Sequence, residues 1–525
     1  REIAQKLFLG GKMATPKAIE LAIEKEIPLG ALLGVDEDII DEAAVLAIPK
    51  HPSSKNPVAS GKINSPTASP EKEVLEENPG PTKAAEAEKV FTKAAKTYLD
   101  VTPTQTPPKE PQKAELVRDR KKRLAEEYSV DFRLENRKIA HKERKAPDFT
   151  NYFNSRFQMI QGMLAKRLNP MSISNLTKIN ADSVSILGMV NDIRTTNNGN
   201  KMLVLEDPTG SIPCIVSKDK DENLSEESNN TLMDEVIGVN GSFKNGLFFV
   251  KEIVRPGIPV TNGVNRLDVP LKAVFISDIH YGSAEFIEPS FKNFIKWMNS
   301  PKADAVKYIF IAGDLCDGIG IYIGQENDLV VRQAELQYSK LAALLEGIPS
   351  HVKIIISPGN HDIIGNHEPQ QLLDYTGLSK LPNAVFGTNP CSIVLQNKLR
   401  ILMYHGYSYD TFISELPRIR HDGYDKPCLP MIEALKRRHL SPSYGGSLII
   451  PEHHDCLVIE KVPDIFHSGH LHTVGLENHH NVTLINSGTF QGKTSFQERM
   501  GHHPHPGIFA CVDLQTRKAE LIDVN

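Results

Sequence analysis

The sequence predicts an α/β protein with a small β-barrel ahead of its main domain. From about residue 267, strand-like apolar runs alternate with helix-like segments, which is the pattern of an α/β fold. Five of these runs end in Asp, Asn or His, the side chains that bind divalent metals. Upstream, short alternating strands are separated by hairpin turns, which indicates a small all-β domain.

The N-terminal sequence predicts a small folded module followed by a flexible linker. Residues 1–47 are expected to form a small helical module, because an apolar cluster over 18–23 precedes an interruption at 28–30. A docking module and a mobile helical appendage fit this pattern equally well. Residues 48–113 are rich in Pro, Lys, Glu, Ser and Thr, so they bury too little apolar surface to offset their ordering entropy. We predict a flexible low-complexity linker there.

Residues 114–178 are predicted to be a charged and then amphipathic helical segment. Basic residues cluster over 118–123, and a solvated helix face is slightly favoured there over a contact with phosphates. Farther on, Tyr152, Phe157 and Leu164 recur at helical spacing. This spacing predicts a helix that packs against another part of the protein.

Residues 179–262 are predicted to form an OB-fold barrel of five short strands. Three turns separate the strands, at Asn197–Gly199, Asp207–Gly210 and Lys244–Gly246. OB barrels often bind single-stranded nucleic acid through aromatic and basic side chains. Only Phe243, Phe248 and Phe249 stand out as aromatic candidates here. A barrel that packs or binds a protein partner is therefore at least as well supported as a nucleic-acid reader.

Charge and cysteine content narrow the classes of protein. The net charge is -5, so a surface for nucleic acid must be local, or metals must supply its positive charge. The six cysteines show no Cys-x-x-Cys spacing, which argues against a disulfide framework and a zinc ribbon and suits a reducing compartment. No apolar run has transmembrane length and no secretory signal is visible. We therefore expect a cytoplasmic protein with no membrane partner.

The main domain, residues 263–525, is organised around the polar residues that follow its strands. The run Val274–Ile276 leads into Asp278 and His280, whose two-residue spacing predicts that both side chains share one side of the strand. Four later runs each deliver such residues beside a glycine, at Gly313-Asp314, Gly359-Asn360-His361-Asp362, His405-Gly406 and Gly469-His470-Leu471-His472. Glycine permits tight turns and close approach of the backbone to an ion. Carboxylates and imidazoles that converge there can hold divalent metals.

Other residues near these motifs are interpreted differently. Cys316 has no partner cysteine and is expected to be a buried thiol, whereas the role of Asp317 stays open. Several histidines lie in polar loops, and we expect most of them at the surface: His453, His454, His479, His480, His502, His503 and His505.

The five motifs together resemble those of the calcineurin-like metallophosphoesterases. Flanking stretches narrow the resemblance to the small-subunit family of archaeal DNA polymerase D, namely Gly313–Gly318, Lys436–Leu440, Val462–Asp464 and Asn486–Gln491. The resemblance covers roughly residues 150–525. It implies a β-sandwich flanked by helices, preceded by the OB-fold barrel.

The resemblance also implies a site for two divalent ions. Mn²⁺ is the expected metal, with Fe or Zn as alternatives. The ions are expected to activate a water for in-line attack on phosphorus. His361 is expected to stabilise the phosphate or protonate the leaving oxygen, and Asp362 to orient His361. Seven ligands are implied, with Asp278, His280 and His472 on the first ion, Asn360, His405 and His470 on the second, and Asp314 bridging both.

The function that this resemblance implies is proofreading. The chain is expected to be the 3′–5′ exonuclease subunit of a family-D replicative polymerase and to hydrolyse DNA phosphodiesters at a primer 3′ end. Its expected partners are the large catalytic subunit, single-stranded DNA and a sliding clamp or a primase. The alternatives are a structural scaffold subunit and a phosphodiesterase or phosphatase with another substrate. Because every ligand position is filled, retained activity is favoured over a degenerate site.

Overall fold

The computed structural model describes residues 122–140, 143–176, 178–374 and 376–525. It also describes two short strands, β1 (Met13–Ala14) and β2 (Ile39–Ile40), which pair in parallel within a unit of residues 1–114. At these four residues the helical structure predicted over 1–47 was wrong, because they pair as strands. The rest of that module and the linker predicted over 48–113 lie outside the described residues. Among the helices that are described, none is both long and apolar enough to cross a membrane.

The second unit, residues 115–525, contains both strands and helices. Its strands are β3 (Phe132–Asn136), β4 (Ala181–Thr195), β5 (Lys201–Asp207), β6 (Gly210–Val216), β7 (Val236–Lys244), β8 (Leu247–Val254), β9 (Lys272–Ile276), β10 (Val306–Ala312), β11 (Lys353–Ser357), β12 (His367–Glu368), β13 (Ala384–Phe386), β14 (Cys391–Leu395), β15 (Leu399–Met403), β16 (Leu448–Ile449), β17 (Ile465–Ser468), β18 (Gly475–His479), β19 (Val482–Asn486), β20 (Ile508–Asp513) and β21 (Ala519–Asp523). Its α-helices are α1 (Leu124–Glu127), α2 (Ala146–Leu168), α3 (Ile173–Leu176), α4 (Glu222–Asn229), α5 (Glu288–Met298), α6 (Ala334–Leu345), α7 (Tyr409–Glu415), α8 (Cys428–Arg437) and α9 (Ser495–Met500).

Five strands close into a barrel in the order β4-β5-β6-β8-β7. Neighbouring strands are antiparallel except β6 and β8, which pair in parallel. Apolar side chains such as Leu203 and Ile212 fill its core. Phe243 and Phe248 are buried in that core, whereas Phe249 is exposed. The barrel therefore offers one exposed aromatic among the three candidates.

Two six-stranded sheets form the main domain and pack face to face. The first has the order β13-β11-β10-β9-β20-β21 and the second β18-β19-β17-β15-β14-β3. Along β9, Ala273 and Phe275 contribute to the core between the sheets, whereas Val274 and Ile276 pack with α5 and α6. Helices α7 and α8 cover the outer face of the second sheet. This arrangement confirms the predicted α/β class and the β-sandwich flanked by helices.

The helical segment predicted over 114–178 was only partly right. Phe132–Asn136 is a strand, which pairs antiparallel with β14 at the edge of the second sheet. Phe132 and Leu134 pack on the core between the sheets. The alternation of apolar and polar residues therefore makes this segment a strand, although many of its residues are charged. The amphipathic helix is confirmed as α2, whose Tyr152 and Leu164 are buried.

Within the basic cluster predicted over 118–123, Arg123 makes hydrogen bonds to the main domain. Arg123 is buried, and its guanidinium donates to the carbonyls of Met298 (2.9 Å) and Asn299 (2.8 Å). Both carbonyls lie at the C-terminal end of α5, where a cation is favoured. Arg123 therefore stabilises this helix end; residues 118–121 lie outside the described part of the chain.

A buried ionic network joins the barrel to the main domain. Arg437 of α8 is buried, and its Nε lies 2.6 Å from Glu235, which precedes β7. Its Nη1 pairs with Glu433 at 2.5 Å. Arg255, which follows β8, pairs with the same Glu235 at 2.9 Å. Buried charges are tolerated only when paired, so this network favours one arrangement of the two domains.

A second buried group links helix α2 to the main domain. The Nε of Arg156 donates to Asp455 at 2.7 Å, and its Nη1 donates to the carbonyl of Pro442 at 2.6 Å. Asp455 also accepts from His439 Nε2 at 2.8 Å. Burial opposes ionisation of Asp455, but His439 and Arg156 hold its pKa well below the usual range. Arg437 and His439 belong to the Lys436–Leu440 stretch, whose role in the structure is therefore packing between domains.

We predict that Arg156→Ala destabilises the protein strongly, because it leaves the Asp455 carboxylate buried without its guanidinium. The expected loss is about 3–5 kcal/mol in the free energy of unfolding, measured by urea denaturation. The matched control is Lys292→Ala, which removes an exposed pair with Glu288 on α5. That control should cost no more than about 0.5 kcal/mol. Equal effects of the two substitutions would contradict this account.

Candidate metal centre

The seven predicted ligands gather where parallel strands of both sheets end. Each follows the C-terminal end of a strand: β9, β10 and β11 in the first sheet, and β15 and β17 in the second. Such edges are where α/β sheets usually bind ligands. Three groups of donor atoms form there, each with its atoms within 4.8 Å of one another, and one of them, His280 with Asp314 and His361, overlaps the other two. The first cluster is Asp278, His280 and His472, and the second cluster is Asp314, His405 and His470.

Left-handed backbone turns bring these side chains together. Strand β9 ends at Ile276, so the predicted strand alternation does not explain how Asp278 and His280 converge. Both residues have positive φ, 51° and 49°. Their backbone N–H groups donate to the carbonyls of Gly313 and Asp314, each at 3.0 Å. Asp314, His470 and His472 also have positive φ, a costly conformation for these residues that is often found at functional sites.

Two glycines allow the backbone to lie directly against the carboxylates. A Cβ on Gly359 would lie 2.2 Å from Asp314 Oδ1, and one on Gly469 would lie 2.3 Å from Asp278 Oδ2. Any side chain at these positions would displace a ligand. Glycine is therefore required at these two positions, because the backbone there lies against a carboxylate.

The first cluster is compact. The Nε2 atoms of His280 and His472 lie 3.0 Å apart, and His472 Nε2 lies 3.4 Å from Asp278 Oδ1. The backbone N–H of His470 donates to both oxygens of Asp278, at 3.1 and 2.9 Å. Three donor atoms therefore face one another around a common point.

Asp314 reaches both clusters through a single oxygen. Its Oδ2 lies 3.6 Å from His280 Nε2 and 3.3 Å from His405 Nε2. Asn360 Oδ1 joins the second cluster, 2.9 Å from His405 Nε2 and 3.0 Å from His470 Nδ1. The structure thus brings all seven predicted ligands together and places Asp314 between the two groups.

Hydrogen bonds to the outer ring nitrogens orient the histidines. Nδ1 of His405 donates to the carbonyl of Ala312 at 2.8 Å, which turns Nε2 toward the centre. Nε2 of His470 lies 3.0 Å from Asp410 Oδ2, so Nδ1 faces the centre. Such outer partners fix the tautomer and orientation of metal-binding histidines.

Two more outer partners complete this set. Asp317, whose role the sequence left open, lies 2.9 Å from His280 Nδ1. The side-chain amide of Gln497 on α9 lies 2.9 Å from His472 Nδ1. Asp410 and Gln497 were not predicted, because no motif spacing marks them and only packing brings them to the histidines.

The charges of the centre fit divalent cations. Burial opposes ionisation of Asp314, but His405 and His361 hold its pKa well below the usual range. Burial likewise opposes protonation of His405, yet Asp314 raises its pKa to about 10. Positive charge is therefore strongly favoured beside these carboxylates, and divalent ions would supply it. Carboxylate, amide and imidazole donors together suit Mn²⁺, Fe or Zn.

His361 lies beside the first cluster and is available to a substrate. Its ring packs edge-to-face on His280, with centroids 4.8 Å apart. Its Nδ1–H donates to the carbonyl of Asp317 at 2.9 Å, and its backbone N–H donates to Asp314 Oδ1 at 2.8 Å. Nε2 is thus the ring nitrogen left for catalysis. Burial lowers the pKa of His361.

The predicted role of Asp362 as the partner of His361 was wrong. Its carboxylate is buried and accepts from Tyr338 Oη at 2.7 Å and from the backbone N–H of Gly359 at 2.8 Å. The side chain therefore turns back into the protein and fixes the loop that carries Asn360 and His361. The carbonyl of Asp317 orients His361 instead.

The histidines assigned to loops are mostly exposed, as predicted: His453, His454, His480 and His503. The other three, His479, His502 and His505, are half-buried, and the ring of His502 stacks on Tyr424 at 4.2 Å. Tyr424 in turn donates to Asp410 at 2.9 Å, next to the second cluster. Cys316 is a buried free thiol, as predicted.

Comparisons with known proteins agree with this geometry. A model of the family "Calcineurin-like phosphoesterase" matches residues 271–474. The DNA polymerase II small subunit of Archaeoglobus fulgidus is 41% identical over 375 residues, or 69% of this chain and 74% of that protein. The proteins of the same name from Halobacterium salinarum and Methanothermobacter thermautotrophicus are 36% and 40% identical, over 70% and 67% of this chain and 73% and 74% of their own lengths.

We predict that Asp410→Ala weakens metal binding by about 10–100-fold, because His470 loses the partner that fixes its ring. Isothermal titration with Mn²⁺ measures this change. The matched control is Asp425→Ala, which removes a carboxylate whose side chain and whose partner His503 are both exposed. If both variants bind Mn²⁺ like the parent chain, Asp410 does not position His470.

Proposed function

Since this chain belongs to the archaeal family of DNA polymerase II small subunits, we propose that it is the metal-dependent 3′–5′ exonuclease of a family-D replicative polymerase. The observation that carries the proposal is that all seven assigned ligands lie together, with Asp314 Oδ2 3.6 Å from His280 of the first cluster and 3.3 Å from His405 of the second. A subunit that served only as a scaffold would have no need of this buried, strained and costly arrangement.

The ligands identified above would hold two divalent ions, with Mn²⁺ as the first choice and Fe or Zn as alternatives. When bound, such ions neutralise a scissile phosphate and make water nucleophilic at neutral pH. The protein contributes the fixed positions of the ligands. Asp317, Asp410 and the Ala312 carbonyl keep three imidazoles in the orientation that binding requires.

His361 is the residue to which we assign proton transfer. Its Nδ1–H is held by a backbone carbonyl, so Nε2 faces the substrate, and in the protonated ring the Nε2–H would donate to the oxygen that leaves phosphorus. Departure of that oxygen as a 3′-hydroxyl would shorten a primer and release a 5′-mononucleotide. Removal of a mismatched nucleotide in this way is proofreading.

We assign the barrel to the OB fold on its strand order and its parallel closure between β6 and β8. Its role is proposed to be mainly contact with protein, because only Phe249 of its three candidate aromatics is exposed. The relatives are named as small subunits, so a large catalytic subunit is the proposed partner. The six free cysteines suit the reducing cytosol in which we place this complex.

A scaffold role is the second candidate, and one observation favours it. The ionic network around Arg437 and Glu235 holds the barrel firmly on the main domain, as a platform for a large subunit requires. This role is compatible with catalysis. A purely structural subunit would differ by binding no metal and degrading no DNA.

We predict that His361→Ala nearly abolishes degradation of single-stranded DNA while both ions stay bound, because the substitution removes the assigned proton donor and none of the seven assigned ligands. Activity should fall by roughly 10²–10⁴-fold. The assay follows Mn²⁺-dependent shortening of a 3′-mismatched primer, and elemental analysis follows the metal.

The control for this experiment is His453→Ala, at an exposed histidine outside the centre. It should retain full activity. Undiminished degradation by the His361→Ala variant in a clean preparation would refute the proposed catalytic role. A parent chain that binds no metal and degrades no primer would instead favour the scaffold.

A further inference from the structure

An exposed apolar surface borders the metal centre next to His361. It consists of Ile319, Tyr322, Ile323 and Ile363, which we call the apolar wall. Ile323 is 86% exposed, and the other three are between 42% and 48% exposed. Exposed aliphatic side chains grouped beside a site usually mark a binding surface.

The apolar wall is fixed to the catalytic residues. Asp317, which immediately precedes the wall loop, holds His280 through its side chain and His361 through its carbonyl. Gln325, at the other end of this loop, donates to the same carbonyl at 2.8 Å. The loop also packs on the residues after Asn360, since a Cβ on Gly318 would lie 2.1 Å from the carbonyl oxygen of His361.

A second apolar surface borders the other ligands. Phe496 and Met500 lie four residues apart on α9 and are 58% and 57% exposed. Gln497, on the same helix, contacts His472 Nδ1 at 2.9 Å. The ionic centre is therefore flanked by apolar groups at His361 and again at His472.

The chemistry of the wall fits bases better than phosphates. Residues 318–331 contain no Lys or Arg, and they include Glu326 and Asp328. Such a loop repels a phosphate backbone, whereas it can pack against the uncharged faces of bases. A phosphodiester in a nucleic acid places an anion between two such bases. In a duplex those faces are stacked on neighbouring pairs, so only an unpaired strand can present them.

We propose that the apolar wall, together with Phe496 and Met500, binds the bases beside the scissile phosphate and thereby selects unpaired 3′ ends. This inference rests on the proposed nuclease function and adds the specificity of the site. Bases from a mismatched or frayed end would reach the wall, whereas bases held in a duplex would not.

The test compares strands with and without bases. The full chain carrying His361→Ala keeps the strand intact, and its affinity for a single-stranded oligonucleotide is measured by fluorescence anisotropy in Mn²⁺. Ile319→Ser with Ile323→Ser removes the centre of the wall, and Phe496→Ser tests the second surface. Val260→Ser, at a fully exposed residue outside the centre, is the control.

Removal of the wall should raise Kd for the normal strand about tenfold, as expected when the burial of an aliphatic side chain against a base is lost. A strand with abasic sites at its two 3′-terminal positions should bind about tenfold more weakly to the His361→Ala chain. The wall variant should bind that abasic strand no worse than its parent does. The Val260→Ser control should match its parent on both strands.

Three outcomes would overturn the inference. In the first, the wall variants bind the normal strand with the same Kd as their parent. In the second, their Kd rises by the same factor for the normal and the abasic strand. In the third, they keep strand affinity and lose the large subunit on size exclusion, which would make the wall a protein interface. Failure of the proposed function is seen separately, as no degradation of DNA by the chain that retains His361.

Discussion

The buried carboxylate of Asp314 is the constraint on which the rest of the centre depends. One of its oxygens faces both clusters, 3.6 Å from His280 and 3.3 Å from His405, and the other accepts from the backbone of His361. An anion buried in this way is costly unless cations and donors surround it. This need explains why imidazoles from both sheets converge on it and why Gly359 must lie against it.

The sandwich and the barrel serve this convergence. His405, His470 and His472 follow strands of the second sheet, whereas Asp278, Asp314 and Asn360 follow strands of the first. The distances between the clusters are therefore set by the dry core between the sheets. The ionic network at Arg437 then fixes the barrel on the same body. The candidate metal centre and the barrel thus belong to one compact unit.

The seven residues of the candidate centre could be predicted because each is a distinctive residue type at the end of an apolar run, and the order of the runs is specific. The outer partners could not, because contacts such as Asp410 to His470 arise only from tertiary packing. Asp362 was misassigned because its place next to His361 in the sequence does not show where its side chain points, which is toward Tyr338. The strand at Phe132–Asn136 was missed because charged residues obscure its two-residue alternation.

The central claim is that one carboxylate joins two ion sites. Anomalous diffraction from crystals of the full chain in Mn²⁺ tests it most directly. Two Mn²⁺ peaks are expected, both in contact with Asp314, one beside His280 and His472 and the other beside His405 and His470. A single peak, peaks that do not touch Asp314, or none at saturating Mn²⁺ would contradict it.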